Sequence, residues 1–268
     1  MQIALNIVLG ALGLILLALI CEYIDSAIGG GYGTILVPVL LIFGFDSDVV
    51  IPSVLFTEIW SGIGSSVLHN FVGNAKFEAK IDLANGKNLI LSEDFKVSAI
   101  LSVCGVLGGI IAVIIALSFP KMLVKTYIGV LVLIIGIMIL LNLKWNFSWL
   151  RIWGIGLIAA FNKGISGGGY GPLVSGGQII VDRGPKEAVA STSLSEAVVC
   201  ISALAIYFLS GGVSLNIFLT LFLLIGSLIS VPFAVLTVKT IPIEKFLPLI
   251  GLVTMSLGAF MLAKILFF

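Results

Sequence analysis

Charge is what this sequence has least of. Only 10% of its 268 residues are charged, histidine occurs once, and 14 basic against 13 acidic residues leave a net charge of +1. A chain so nearly neutral offers no basic field for a phosphate backbone, and no nucleic-acid partner is expected. Cysteine is scarce as well. Cys21, Cys104 and Cys200 fall within apolar runs without C-x-x-C spacing, which supplies neither a redox motif nor a metal site. An H-E-x-x-H motif and a Walker A loop are both missing, and His69 stands at the edge of an apolar run with no acid beside it. Metalloprotease, ATP-driven and nucleophile–base chemistries therefore lack their residues, and no enzymatic activity, metal or cofactor is expected.

What is abundant is apolar sequence: 60% hydrophobic residues and a mean hydropathy of +1.26. Runs long enough to cross a bilayer recur at roughly 3–24, 50–72, 97–118, 122–142, 148–165, 186–209, 214–238 and 244–266, with shorter ones at 34–45 and 171–181. Lipid cannot satisfy free backbone groups, and continuous runs of this length exclude a barrel. The expectation is an all-α polytopic membrane protein with eight full transmembrane helices and two short, glycine-broken ones, ten crossings if the short ones span. The opening MQIALN lacks a basic n-region, so the first run is expected to be a retained span rather than a signal peptide.

The sequence repeats itself. At an offset of 138 residues, Gly29, Gly30, Gly31, Tyr32 and Gly33 fall on Gly167, Gly168, Gly169, Tyr170 and Gly171. In the same register Ser53 meets Ser191, Glu58 meets Glu196 and Gly73 meets Gly211. Two homologous repeats, residues 1–143 and 144–268, are the expected organisation, as in many secondary transporters. The positive-inside rule separates two topologies. If the short runs turn back, the repeats are parallel and 13 loop Lys and Arg residues divide seven to six. If they cross, the repeats are inverted, and Lys76, Lys80, Lys87, Lys96, Lys144, Arg151, Arg183, Lys186, Lys239 and Lys245 share one side against Lys121, Lys125 and Lys264. The second count favours inverted repeats, with both termini outside and the polar 73–96 loop cytoplasmic. That loop, with four lysines and four acids, reads as a solvated amphipathic connector.

Consecutive glycines each cost about 1 kcal/mol relative to alanine in a helix, so both pentapeptides should break one. A helix that restarts after the break aims free N–H groups and a positive dipole end back at the gap, where an anion is stabilised. Restarts near Thr34 and Pro172 would point two such ends at one midplane site. The alternative is that the glycines only allow close helix packing.

The stretches GGGYGTILVPVLLIFGF and SGGGYGPLVSGGQIIVDRGPKEAVASTSLSE resemble the sulfite exporter TauE/SafE family of membrane permeases, over nearly the whole chain. The family's small-residue helix of A-T-S type is matched by Ala190, Ser191, Thr192 and Ser193, and more loosely by Pro52 and Ser53. The sequence departs from the family pattern at His69 and Asn70, at Lys163 and in the long 73–96 loop. The resemblance implies a secondary transporter of small, often sulfur-containing anions such as sulfite, thiosulfate or sulfonates, commonly outward, in the plasma (inner) membrane. With the two helix ends aimed at one midplane site, the substrate is expected at Gly29, Gly30, Gly31, Tyr32, Gly33, Thr34, Gly167, Gly168, Gly169, Tyr170 and Gly171, with Ser53 and Ser191, which meet at the 138-residue offset.

Ionisable groups at bilayer depth are costly and mark function. Glu58 and Glu196, equivalent and near mid-span, are the candidates for proton coupling, because a protonated carboxyl can donate to an anion that a carboxylate would repel. A static role is the alternative, each accepting hydrogen bonds from the free N–H groups of the opposite broken helix. Asp25 and Lys163 occupy equivalent positions before the two breaks and are expected either to pair across the axis or to leave Lys163 free to attract the anion. Glu22, three residues before Asp25, shares a vestibule with it or snorkels to solvent. His69 is expected to be interfacial, and Cys21 and Cys200 to be small hydrophobes rather than ligands of a sulfur anion. A proton-coupled carrier of a small anion is the leading reading. A passive anion channel and a non-transport structural membrane protein are the alternatives.

Overall fold

The computed structural model describes residues 2–82, 88–141, 148–181, 183–210, 215–240 and 247–267. In chain order these form α1 (Gln2–Ile28), α2 (Tyr32–Ile42), α3 (Ser47–Val72), the strands β1 (Ala79–Asp82) and β2 (Asn88–Leu91), α4 (Glu93–Ser118), α5 (Lys121–Leu141), α6 (Trp149–Ser166), α7 (Tyr170–Ile180), α8 (Pro185–Leu209), α9 (Ile217–Thr240) and α10 (Leu247–Phe267). Five helical stretches are long and apolar enough to cross a membrane: Leu9–Ile28, Ser47–Val72, Glu93–Ile115, Pro185–Leu209 and Ile217–Thr240. The shorter apolar helices are α2 and segments of α5 and α10. The protein is an all-α polytopic membrane protein, and its outward faces carry large apolar side chains such as Leu16, Ile111, Ile158 and Phe233.

Local chemistry sets the helix ends. The Ser92 hydroxyl accepts from Phe95 N–H to cap α4, whose first turn holds Glu93 and Asp94, where negative charge suits the dipole. Pro185 starts α8 at the position where its missing N–H is no loss. At 11 residues, α2 and α7 are each about 16 Å long, half the hydrocarbon thickness. They begin at Tyr32 and Tyr170, two residues before the expected restarts at Thr34 and Pro172, because the third glycine of each cluster already serves as the N-cap.

Side-chain contacts fix the helix directions. Leu19 O accepts from Ser230 and the Tyr23 hydroxyl meets Thr237, so α1 and α9 run the same way. Ser53 meets Thr220, and Asn74, just past α3, donates to Val235 O, which sets α3 parallel to α9. In the second group, Ser98 donates to Ser191 O and Gly105 packs on Val199, so α4 and α8 are parallel. Gly156 on Cys104 and Gly164 on Ala112 set α6 parallel to α4. The groups oppose each other: Ser65 meets Ser193, and Gly62 packs on Ala197, so α3 and α8 are antiparallel. At the far side α5 and α10 pack antiparallel through Gly129 on Leu262 and Gly136 on Met255.

The 73–96 loop, expected as a solvated amphipathic connector, has secondary structure of its own. It holds an antiparallel hairpin in which Ala79 pairs with Leu91 and Asp82 with Asn88. Ser92 pins the hairpin by donating to Lys76 O at 2.5 Å and accepting from Glu78 N–H at 3.1 Å. Arg183, in the α7–α8 linker, donates to Asp94 at 2.5 Å and Glu93 at 3.3 Å, tying the second half of the chain to the start of α4. The repeat boundary at 143, Gly211, Lys87, Lys144 and Lys245 lie outside the described residues.

Candidate functional site: a buried lysine between two glutamates

The two helix breaks are built alike. Asp25 O accepts from Gly29 N–H at 2.6 Å, and Lys163 O accepts from Gly167 N–H at 2.8 Å. Gly29 and Gly167 then take φ of 79° and 69°, a left-handed conformation that turns the chain out of each helix and favours glycine. Beyond these turns the breaks press on each other. A methyl group at Gly30 would overlap the Pro172 nitrogen, one at Gly33 would overlap Gly167 O, and one at Gly171 would overlap Gly30 Cα. The packing alternative for the glycines is thus realised, backbone against backbone, at the centre of the bundle.

Four of the N–H groups at the two breaks have partners. Asp25 Oδ1 accepts from Tyr32 N–H at 3.0 Å, and Glu58 Oε1 accepts from Gly33 N–H at 3.1 Å. Thr34 Oγ1 accepts from Gly169 N–H at 3.0 Å across the crossing, and Ser166 Oγ accepts from Gly168 N–H at 3.1 Å. Glu58 therefore serves the helix of its own half, whereas the static reading had each glutamate serving the opposite one.

Lys163 is the central cation. Fully buried, it donates to Glu196 Oε1 at 2.8 Å and forms a shorter ion pair with Glu58 Oε2. The expected Asp25–Lys163 bridge is replaced by this arrangement: the lysine is long enough to reach past the break to carboxylates on α3 and α8, while the shorter Asp25 turns back onto Tyr32 N–H. Oxygens of Asp25, Glu58 and Glu196 lie within 4.8 Å of one another. A metal ion would suit such a triad, but the ammonium already pairs with two of its members, so the cluster is a lysine-centred ion network. The Cys200 thiol lies 3.6 Å from Glu58 Oε2, so Cys200 is a neighbour of the charged centre rather than a plain hydrophobe.

Around the cluster the two halves repeat their contacts. Tyr32, fully buried, meets Thr57 at 3.0 Å, and its hydroxyl donates to Leu223 O on α9 at 3.5 Å. The Tyr170 hydroxyl likewise donates to Leu101 O on α4 at 3.5 Å. His69 is buried rather than interfacial, lying 3.1 Å from Ser26 O and 2.9 Å from Asn74 Nδ2. At the same offset Tyr207 donates to Gly164 O at 3.3 Å, so each half closes its first helix with a ring donor from its third. Glu22 is buried as well, 1% exposed, so it does not snorkel. Ser53 and Ser191 bond Thr220 and Gln178, holding helices together rather than facing the carboxylates.

Sequence reasoning placed Glu58, Glu196, Asp25, Lys163 and both glycine clusters in one neighbourhood, where they lie. It expected Cys200 to be a small hydrophobe, and it had no signal for Thr34 as a cross-break acceptor, since the 138-residue offset sets these two positions against Gly62 and Pro172. An apolar cavity of about 310 Å³ lies apart from the cluster, between α4, α5 and α6, lined by Ile115, Phe119, Tyr127 and Phe161 among others.

Comparison with known proteins agrees with this architecture. The family model described as Sulfite exporter TauE/SafE matches residues 14–261, a span that includes both breaks and every ionisable group of the cluster. A "Probable membrane transporter protein YtnM" of Bacillus subtilis (strain 168) is 24% identical over 233 residues, covering 81% of this chain and 71% of that protein. The chain belongs to the sulfite exporter TauE/SafE family, and so is a membrane transporter and not an enzyme.

Proposed function

We propose that this protein is a proton-coupled secondary carrier of a small sulfur-containing anion, sulfite, thiosulfate or a sulfonate, in the plasma membrane. In this reading its halves are inverted repeats. The opposite directions of α3 and α8, equivalent at the 138-residue offset, support that, as does the matching of α1 with α9 by α6 with α4. Two five-helix units so related leave both termini outside and the 79–91 hairpin inside.

The observation that carries the reading is Lys163 held between Glu58 and Glu196 at the crossing of the breaks. The Glu58 carboxylate has there what an oxyanion needs: an ammonium, the Gly33 N–H at a helix N-terminus, and a thiol. In the proposed cycle, protonation of one glutamate frees part of the ammonium, and the anion takes the vacated oxygens' place. Proton and anion then favour each other, because the proton offsets a charge that the anion brings into a medium that penalises net charge.

Counterflow of labelled sulfite in proteoliposomes tests the site. Lys163→Gln should abolish accumulation while Gly154→Ala, at an open position, leaves it intact. Undiminished counterflow in Lys163→Gln would remove the lysine from the anion's path.

A further inference from the structure

One buried acid is left over by this mechanism. Glu22 is 1% exposed. Its Oε1 accepts from the Ser26 hydroxyl at 2.7 Å, and its Oε2 is buried with no hydrogen-bond partner among the described residues.

The neighbouring carboxylates are better supplied. Glu58 has the Lys163 ammonium, the Gly33 N–H and the Cys200 thiol. Glu196 has Lys163, and Asp25 has the Tyr32 N–H. Four buried carboxyls face one ammonium, so full ionisation would leave three negative charges in excess within the bundle. The charged and titratable groups nearest Glu22 are Cys21 and Asp25 on its own helix, Tyr32 on α2 and Glu58 on α3. None is a cation. An ionised carboxylate with one oxygen unserved, the hydroxyls of Ser26 and Ser61 as its neighbouring donors and no cation beside it is the least tolerable charge of the set.

We propose that Glu22 is held as a neutral carboxylic acid and is a further proton-carrying residue of this carrier, besides Glu58 and Glu196. Its proton sits on the unserved oxygen, which as an O–H needs no donor. Asp25 lies three residues on, on the same helix face and next to the charged cluster. When an anion enters and draws on the charges around Lys163, the O–H bond at Glu22 breaks, one forms at an Asp25 oxygen, and Glu22 is left ionised. At the 138-residue offset Glu22 falls on Ala160, so this proton site belongs to one half only. The inference rests on the proton-coupled reading above for its role in transport, but not for the presence of the proton.

Infrared spectroscopy of the full-length protein in lipid tests it. At neutral pH the carbonyl stretch of a protonated carboxylic acid should be present, should vanish in Glu22→Gln, and should persist at a shifted position in Glu22→Asp, a variant that keeps the acid should the amide fail to fold. Adding sulfite should shift the band in the wild type, as the acid proton passes from Glu22 to Asp25, and should leave it in place in Asp25→Asn. A band equally strong in Glu22→Gln would overturn the assignment, and a band indifferent to sulfite would overturn the exchange. Flux indifferent to pH gradients with the Glu22 band intact would instead count against proton coupling alone.

Discussion

Asp25 and Lys163 occupy one position in the two halves of this chain, yet they do opposite things. Lys163 reaches two glutamates on α3 and α8, whereas Asp25 folds back to accept from Tyr32 N–H. The symmetric frame of two glycine breaks thus carries an asymmetric charge. A single ammonium serves Glu58 and Glu196, which meet at the 138-residue offset, and this joins the surroundings of both breaks in one cluster.

Removing that ammonium alone should be severe. Lys163→Met leaves two buried carboxylates without their cation and should lower stability by about 3–5 kcal/mol. Adding Glu58→Gln and Glu196→Gln to it should restore much of the loss. Thermal unfolding in detergent of the single and triple variants checks this, and equal losses in both would mean that the charges do not act as a unit.

The backbone crossing predicts a sharp contrast between glycines. Gly30→Ala would drive a methyl group into the Pro172 nitrogen, which cannot move away as a side chain would. A loss of about 3 kcal/mol or more, or failure to fold, is expected. Gly176→Ala faces open space and should be neutral in the same size-exclusion and melting assays.

The Arg183 latch should depend on one acid more than the other. Glu93 is 67% exposed while the Asp94 side chain is 13% exposed, and exposed pairs contribute little. Asp94→Asn should therefore raise protease sensitivity of the 73–92 segment nearly as much as Arg183→Ala, while Glu93→Gln should barely change it.

Topology offers a further check. All three native cysteines are buried, so an impermeant thiol reagent reports on introduced ones. Phe43→Cys and Phe119→Cys should label from outside the cell, and Lys76→Cys and Lys186→Cys only after the membrane is opened. Phe43 and Lys186 lie near equivalent positions of the two repeats, so labelling from the same side would contradict the inversion.

Much of this was readable in the residues. Apolar run lengths fix helices because lipid leaves the backbone no other partner, and the 138-residue register alone brings Glu58 onto Glu196. What stayed hidden depends on reach and on tertiary partners. Nothing local says that Lys163 passes Asp25 for two acids on other helices. Nor could His69, three residues from the end of a run, announce that Asn74 folds back to enclose it. The 79–91 hairpin escaped because its strands, AKID and NLIL, are four residues each, too short for their pattern to outweigh the loop's charge.

The central claim is that Glu58, Lys163 and Glu196 couple an anion to protons. The most direct measurement is labelled sulfite flux into proteoliposomes with and without an imposed pH gradient, for the wild type, Glu58→Gln and Glu196→Gln. The account predicts saturable flux that follows the gradient in the wild type and loses that dependence in either variant. Flux that ignores the gradient and is unchanged in both variants would contradict it, leaving the buried cluster as a structural tie between α3, α6 and α8.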